Sequence, residues 1–178
     1  MGGEAASASA MAPEPGRRIL VAVDEGDESV QALRWCLSTF AAAARGDTVI
    51  LLYVRPAPPT YSVLDASAAA GYLFSEEVTA AIDRYSREVA DAVVEKAQKL
   101  CTLYSKVEEG ESDHEMKVEV KVAVGDARTV ICHMADKLGA DLLVMGSHGY
   151  GFFKRALLGS VSDYCLRNAS CPVLIVKS

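Results

Sequence analysis

Four stretches of this chain are short, continuous apolar runs: RILVAVD (Arg18–Asp24), TVILLYV (Thr48–Val54), DLLVMGS (Asp141–Ser147) and PVLIVK (Pro172–Lys177). Runs of this kind, bounded by charged or turn residues, are expected of strands covered on both faces. A fifth stretch, MKVEVKVAV (Met116–Val124), alternates with period two, as a strand does. Between them lie segments with helical spacing. Val30, Leu33, Leu37 and Phe40 recur in the first, and Val78, Ile82, Tyr85, Val89, Val93, Ala97 and Leu100 in the longest, Ser75–Lys106. ARTVICHMADKLGA follows Gly125-Asp126, where Asp126 is placed to cap a helix, and SVSDYCLRNA (Ser160–Ala169) makes a short last one. Strand and helix alternate throughout, which implies an α/β fold: a doubly wound, mostly parallel sheet with right-handed crossovers and helices on both faces.

At 178 residues, 51% of them hydrophobic and 24% charged, the chain suits a single globular domain. The expected organisation is a disordered tail over 1–16, then one domain over 17–178 interrupted by a mobile loop at about 55–74. That loop opens on RPAPPT, whose prolines stop the second strand. A net charge of −6 argues against nucleic acid or an anionic membrane as partner, because both require an excess of Lys and Arg. No apolar run reaches the ~18–20 residues of a membrane span. The opening segment lacks the basic start and apolar stretch of a secretory signal, and Ala6 stands where a myristoylation pattern needs Ser or Thr. Five cysteines without a C-x-x-C pair suggest neither a disulfide framework nor a zinc site, but reduced thiols of a cytoplasmic or nuclear protein. None is flanked by the basic cluster that would make it a redox sensor.

In doubly wound sheets ligands sit outside the carboxyl ends of strands, where strand order reverses. Asp24 closes the first strand and Gly146 the fourth. After Gly146 the chain reads G-x2-G-x9-G-S, through Gly149 to Gly159-Ser160. This is no Walker loop, because G-x-x-x-x-G-K-[ST] is absent, and no dinucleotide fingerprint, because Lys154 stands where a glycine is required. Nor is there a G-x-S-x-G elbow to present Ser160 as a nucleophile. What the spacing does offer is two sets of backbone donors. Gly146 and Gly149 have no Cβ to shield their N–H groups, and the helix start at Gly159-Ser160 favours an anion through free N–H groups and its positive dipole end.

The stretch GSHGYGFFKRALLGSVS resembles the G-2x-G-9x-G-[ST] signature of the universal stress protein family, in its ATP-binding branch, and plant members of this length look most similar. The resemblance extends from Arg18 to Lys177, with VAVDEGDES similar to the family's opening strand and turn. It implies a five-stranded parallel sheet of order 3-2-1-4-5 with a Rossmann-like nucleotide site across strands one and four. Carried onto this chain, Asp24 binds the ribose, and the backbone around Ala22, Val23 and Val54 holds the adenine. Met145, Gly146, His148 and Gly149 approach ribose and phosphates, and Gly159, Ser160, Val161 and Ser162 supply donors at the helix start. The insert Tyr150–Leu158 covers the site. The resemblance further implies ATP, or AMP or ADP, with Mg2+ accompanying it, and a homodimer through the last strand, Val173, Leu174, Ile175 and Val176. Two departures stand out: Glu25-Gly26-Asp27-Glu28 puts extra negative charge beside the phosphates, and Tyr53 stands where many members have His.

Each residue also has a structural reading. Ser160 with Asp163 forms S-x-x-D, a helix N-cap compatible with anion binding. The three glycines can be turn residues, Asp24 can simply end a strand, and His148 reads as a loop residue without a catalytic partner. Trp35 and Cys36 read as core packing, and His133 beside Cys132 lacks further metal ligands at suitable spacing. The expected function is an adenine-nucleotide-binding stress-response or regulatory protein in which nucleotide stabilises a conformation or the dimer. No catalytic residue and no metal ligand is assigned. The alternatives are a slow ATP hydrolase, for which only Lys154, Arg155 and Ser162 with Mg2+ are available, and a nucleotide-independent, chaperone-like interaction protein.

Overall fold

The structure, a computed structural model, describes residues 16–40, 46–58, 76–107, 116–147 and 158–177. The expected tail except Gly16, most of the loop after the second strand, and the insert Tyr150–Leu158 except Leu158 lie outside these residues. Among the described residues five strands, β1 (Arg18–Ala22), β2 (Thr48–Arg55), β3 (Lys117–Val124), β4 (Leu142–Gly146) and β5 (Val173–Val176), alternate with four helices. The helices are α1 (Asp27–Phe40), α2 (Glu76–Val107), α3 (Ala127–Lys137) and α4 (Ser160–Asn168). The strands form one sheet in the order β3-β2-β1-β4-β5, and every pairing is parallel. β1 is therefore central, with Val21 opposite Leu51 on one side and Val144 on the other.

Successive strand residues point to opposite faces, which divides the apolar runs between two cores. Ile19, Val21, Val49, Leu51 and Val144 pack with Leu33 and Leu37 of α1 and with Ala90 and Ala97 of α2. Leu20, Ile50, Leu52, Leu143 and Met145 pack on the other face with Ile131 and Ala135 of α3 and Cys165 of α4. Because β1 and the first six residues of β2 are covered on both faces, they read as continuous apolar sequence rather than as an alternation.

Asp126 caps α3, its carboxylate accepting the Arg128 N–H at 2.9 Å. Gly125, immediately before it, has φ +145, a backbone that side-chain-bearing residues rarely adopt, and it donates to the Arg55 carbonyl at 2.9 Å. α2 differs from its expected packing. Its 32 residues extend roughly 48 Å at 1.5 Å per residue, whereas the eight residues of β2 span about 27 Å. The second half, from Val89 to Tyr104, covers the sheet, while Val78, Ile82 and Tyr85 in the first half are exposed. Arg55 at the end of β2 holds this overhang by an ion pair to Asp83 at 2.7 Å, which Arg87 joins at 2.8 Å. Trp35 also departs from the core reading. It lies on the outer side of α1, 37% exposed and edge-on to Phe40, whereas its neighbour Cys36 is fully buried.

Candidate functional site

Strand order reverses at β1 and β4: β2 lies beyond one and β5 beyond the other. The loops leaving their carboxyl ends therefore diverge and open a crevice. Gly146 ends β4 directly beneath the first turn of α1. A Cβ built on it would lie 2.9 Å from the carbonyl carbon of Glu28 and 3.0 Å from that residue's Cβ and carbonyl oxygen. Glycine is thus required here by close approach of helix to strand, and the same approach fixes the Glu28 backbone over the crevice.

Ser147, the next residue, ties four elements together. Its N–H donates to the Val176 carbonyl of β5 at 3.0 Å, and its carbonyl accepts the Gly159 N–H at 2.7 Å and the Ser162 hydroxyl at 2.7 Å. Its own hydroxyl lies 2.6 Å from the Glu28 carboxylate of α1. The chain thus leaves the sheet at Ser147 and returns at Gly159, its two ends clamped to each other. The N-cap of α4 is Gly159, in extended conformation and without a side-chain cap, and α4 begins at Ser160. This corrects the capping role read for Ser160 and Asp163. Ser160 is the first helical residue, and Asp163 pairs with Arg167 at 3.0 Å. The Gly159 N–H and the Ser162 hydroxyl are both engaged by the Ser147 carbonyl. The N–H groups of Ser160, Val161 and Ser162 have no acceptor among the described residues, so the first turn of α4 keeps its capacity for an anion.

Ala22, Val54 and Met145, at the carboxyl ends of their strands, meet Val161 of α4 in the same apolar cluster on the α3 and α4 face. Val23 points to the other face, and its N–H donates to the Leu52 carbonyl at 2.9 Å. Asp24 stands at the mouth of the β1–α1 turn. One of its carboxylate oxygens accepts the Gly26 N–H at 2.9 Å, and the Ser29 hydroxyl accepts the Asp24 N–H at 3.1 Å while donating to the Gly26 carbonyl at 2.9 Å. His148 and Gly149 lie outside the described residues, as do Lys154 and Arg155.

Three features of the crevice were not assigned by sequence reasoning. Tyr53, buried, donates its hydroxyl to Glu25 at 2.7 Å and so straps the β1–α1 turn to β2. Burial, and after it the bond to Glu25, push the Tyr53 phenol above its ordinary value. Ala123 and Ala127 join the cluster beside Val54, keeping side chains small at the end of β3 and the start of α3. The Glu28–Ser147 contact joins residues 119 positions apart. The only local signal for it was an acidic residue in a helix first turn, which is ordinary helix chemistry.

Among the described residues no group of three or more His, Cys, Asp or Glu is arranged to hold a metal ion. Burial pushes the thiols of Cys36 and Cys165 up to about 12 and that of Cys101 up to about 11, so these are packing groups. A groove of about 360 Å3 lies between α1 and α2, lined by Arg34, Lys96, Lys99 and Leu103, and none of the crevice residues contributes to it. Chemically, the crevice combines an apolar floor, a hydrogen-bonding mouth with acidic side chains and an uncapped helix start. That is the set of contacts a flat ring, a polyol and an anion would each require.

The sequence model described as the universal stress protein family matches residues 16–177. The chain is 31% identical to universal stress protein PHOS34 of Arabidopsis thaliana over an alignment covering 96% of this chain, and it spans 66% of that relative's length. A universal stress protein family protein from Arabidopsis thaliana, solved with AMP bound, superposes with a TM-score of 0.57 at 20% identity, covering 90% of this chain and 91% of the other. The universal stress protein from Archaeoglobus fulgidus in complex with dAMP gives 0.56 at 18% identity, covering 90% and 98%. These structures share the five-stranded parallel architecture.

Proposed function

We propose that this chain, which belongs to the universal stress protein family, binds an adenine nucleotide in the β1–β4 crevice and is stabilised by it. One observation carries the reading. The Ser147 clamp presents the first turn of α4, with its N–H groups uncapped, beside the apolar cluster of Ala22, Val54, Met145 and Val161. Phosphate suits the helix start and adenine suits the cluster, while the Asp24 carboxylate at the mouth of the β1–α1 turn is an acceptor of the kind a ribose hydroxyl requires. Structural neighbours solved with AMP and dAMP support the same class of ligand. ATP, ADP and AMP all present these three parts, and Mg2+ would accompany the longer phosphate chains.

A ligand that binds only the folded state at 100 times its dissociation constant adds about 2.7 kcal/mol of stability. The test is to extract and identify bound nucleotide by mass spectrometry from natively purified protein, then to measure binding and thermal stabilisation in Gly159→Val. Gly159 has φ −69 and ψ 158, which any residue adopts, so the substitution adds bulk at the helix start without straining the backbone. Wild type is expected to be stabilised by adenine nucleotide and Gly159→Val to lose that response. Equal binding by both would defeat the site.

A second reading, self-association through β5, is favoured by the contrast between the two sheet edges. β3 carries Lys117, Glu119 and Lys121 in an ion-pair ladder, whereas β5 is Val-Leu-Ile-Val with no strand on its outer side among the described residues. An uncharged apolar edge invites pairing. Light scattering at micromolar concentration should give a dimer mass, and a monomer there would remove this reading.

A further inference from the structure

Away from the crevice, cations gather on a chain that is acidic as a whole. The groove of about 360 Å3 between α1 and α2 is lined by Arg34, Lys96 and Lys99 and by one acid, Glu95, in a chain of net charge −6. Lys99 is compensated: its ammonium lies 2.6 Å from the Glu95 carboxylate and holds that carboxyl below its usual range. Neither the Arg34 nor the Lys96 side chain forms an ion pair or hydrogen bond among the described residues. Both are thus left as unpaired cations beside the groove. Its walls are aliphatic. Val30 stands one turn before Arg34 on α1, and Lys96, Leu100 and Leu103 follow one another at steps of four and three on α2. Leu103 is 60% exposed, and the stems of Arg34 and Lys96 add apolar surface beneath their charged ends.

Size and chemistry together select a ligand. The volume lies in the range of small-molecule sites, about 300–1,000 Å3, whereas a stable protein partner needs about 800 Å2 of surface on each side. The walls offer no aromatic face on which a base would stack, and a guanidinium with an ammonium suits a carboxylate. We propose that this groove is a second ligand site, which takes an amphiphilic carboxylate with its aliphatic chain on Val30, Leu100 and Leu103 and its head group on Arg34 and Lys96. The site is separate from the crevice and does not rest on the nucleotide reading. Val30, Lys96 and Leu100 also line a cavity shared with Asp24, but at about 10 Å3 it holds one water at most. An organic ligand in the groove therefore has no passage to Asp24.

The test is calorimetric titration of the full chain with decanoate, and with acetate and decyltrimethylammonium as controls for the head group and the chain. Decanoate is expected to bind once per chain, and the two controls to show no saturable binding over the same concentrations. Arg34→Gln and Lys96→Gln should each weaken decanoate about threefold. Leu103→Glu, which sets a carboxylate on the aliphatic wall, should weaken it about tenfold. All three positions are exposed, and unchanged melting temperatures of the unliganded variants establish that they fold. Saturating AMP should leave decanoate affinity within about twofold. Absence of decanoate binding overturns the inference, as does equal affinity in wild type and in the Arg34→Gln/Lys96→Gln double variant, or decyltrimethylammonium binding as tightly as decanoate. Displacement of decanoate by AMP places it in the crevice and also overturns the second site. Pelleting of the chain with vesicles of phosphatidylcholine and phosphatidylglycerol overturns it in favour of a bilayer surface. Failure of the chain to bind AMP removes the nucleotide reading and leaves the groove to stand on decanoate alone.

Discussion

The two edges of the sheet treat their carboxylates in opposite ways. At the amino edge buried Asp47 and exposed Asp141 meet a guanidinium or a strand N–H. Asp47, almost wholly buried, accepts the Arg17 guanidinium at 2.9 and 2.6 Å and the Arg17 N–H at 2.7 Å. Asp141 accepts the Arg18 N–H at 2.7 Å, while the Arg18 side chain reaches the Leu138 carbonyl at 2.7 Å. At the carboxyl edge around β1 and β4, Asp24 accepts instead from an amide and Glu25 from a phenol. The first arrangement neutralises charge and closes the structure. The second holds the Asp24 and Glu25 carboxylates through neutral donors at the mouth of the crevice.

That contrast can be broken from either side. The largest effect is expected for Gly146→Val, whose Cβ would enter the Glu28 backbone. Overpacking at such a contact costs about 1–3 kcal/mol, and the displaced turn should abolish nucleotide binding, readable by denaturant melts and calorimetry. Asp47→Ala should cost about 2 kcal/mol through three lost bonds to one arginine, yet leave nucleotide affinity within about twofold. A large binding defect there would erase the division between edges. Tyr53→Phe should cost about 1 kcal/mol and remove a late component from the alkaline titration followed at 295 nm. The sign is set by the raised phenol pKa. Its stability contribution is present below the ordinary tyrosine value of about 10 and is lost as pH rises past it.

The smallest effect concerns Asp126. The Arg128 guanidinium holds this carboxyl down to about 2, with backbone N–H bonds to Arg128 and the contact with Thr129 assisting. Its contribution to stability is therefore present above about pH 4 and fades as pH falls toward 2. The gap in melting temperature between wild type and Asp126→Asn should close over that range. A gap that stays constant with pH would show that the charge at this cap contributes nothing.

The strands were legible because burial on both faces leaves a continuous apolar run, and the Asp126 cap because its geometry is local. The order of the strands is not written in those runs and rested on the resemblance. Helical periodicity showed which face of α2 is apolar but not what lies opposite, and the overhang of Val78, Ile82 and Tyr85 follows from helix and strand lengths, which periodicity ignores. Trp35 was misplaced for the same reason, since a single aromatic does not declare its face. At the crevice, the glycine spacing marked where the chain leaves and re-enters the sheet. The Ser147 clamp stayed hidden because its partners, Glu28, Gly159, Ser162 and Val176, are brought together only by the fold.

Ser147 also links the crevice to the sheet edge, since its N–H bonds β5 while its carbonyl and hydroxyl face α4 and α1. Thermodynamic linkage attaches an obligation to that geometry. If nucleotide strengthens pairing of β5 edges by some factor, pairing must strengthen nucleotide binding by the same factor. The monomer and dimer would then be two receptors of different affinity, and the cellular concentration of the protein would set its sensitivity to nucleotide.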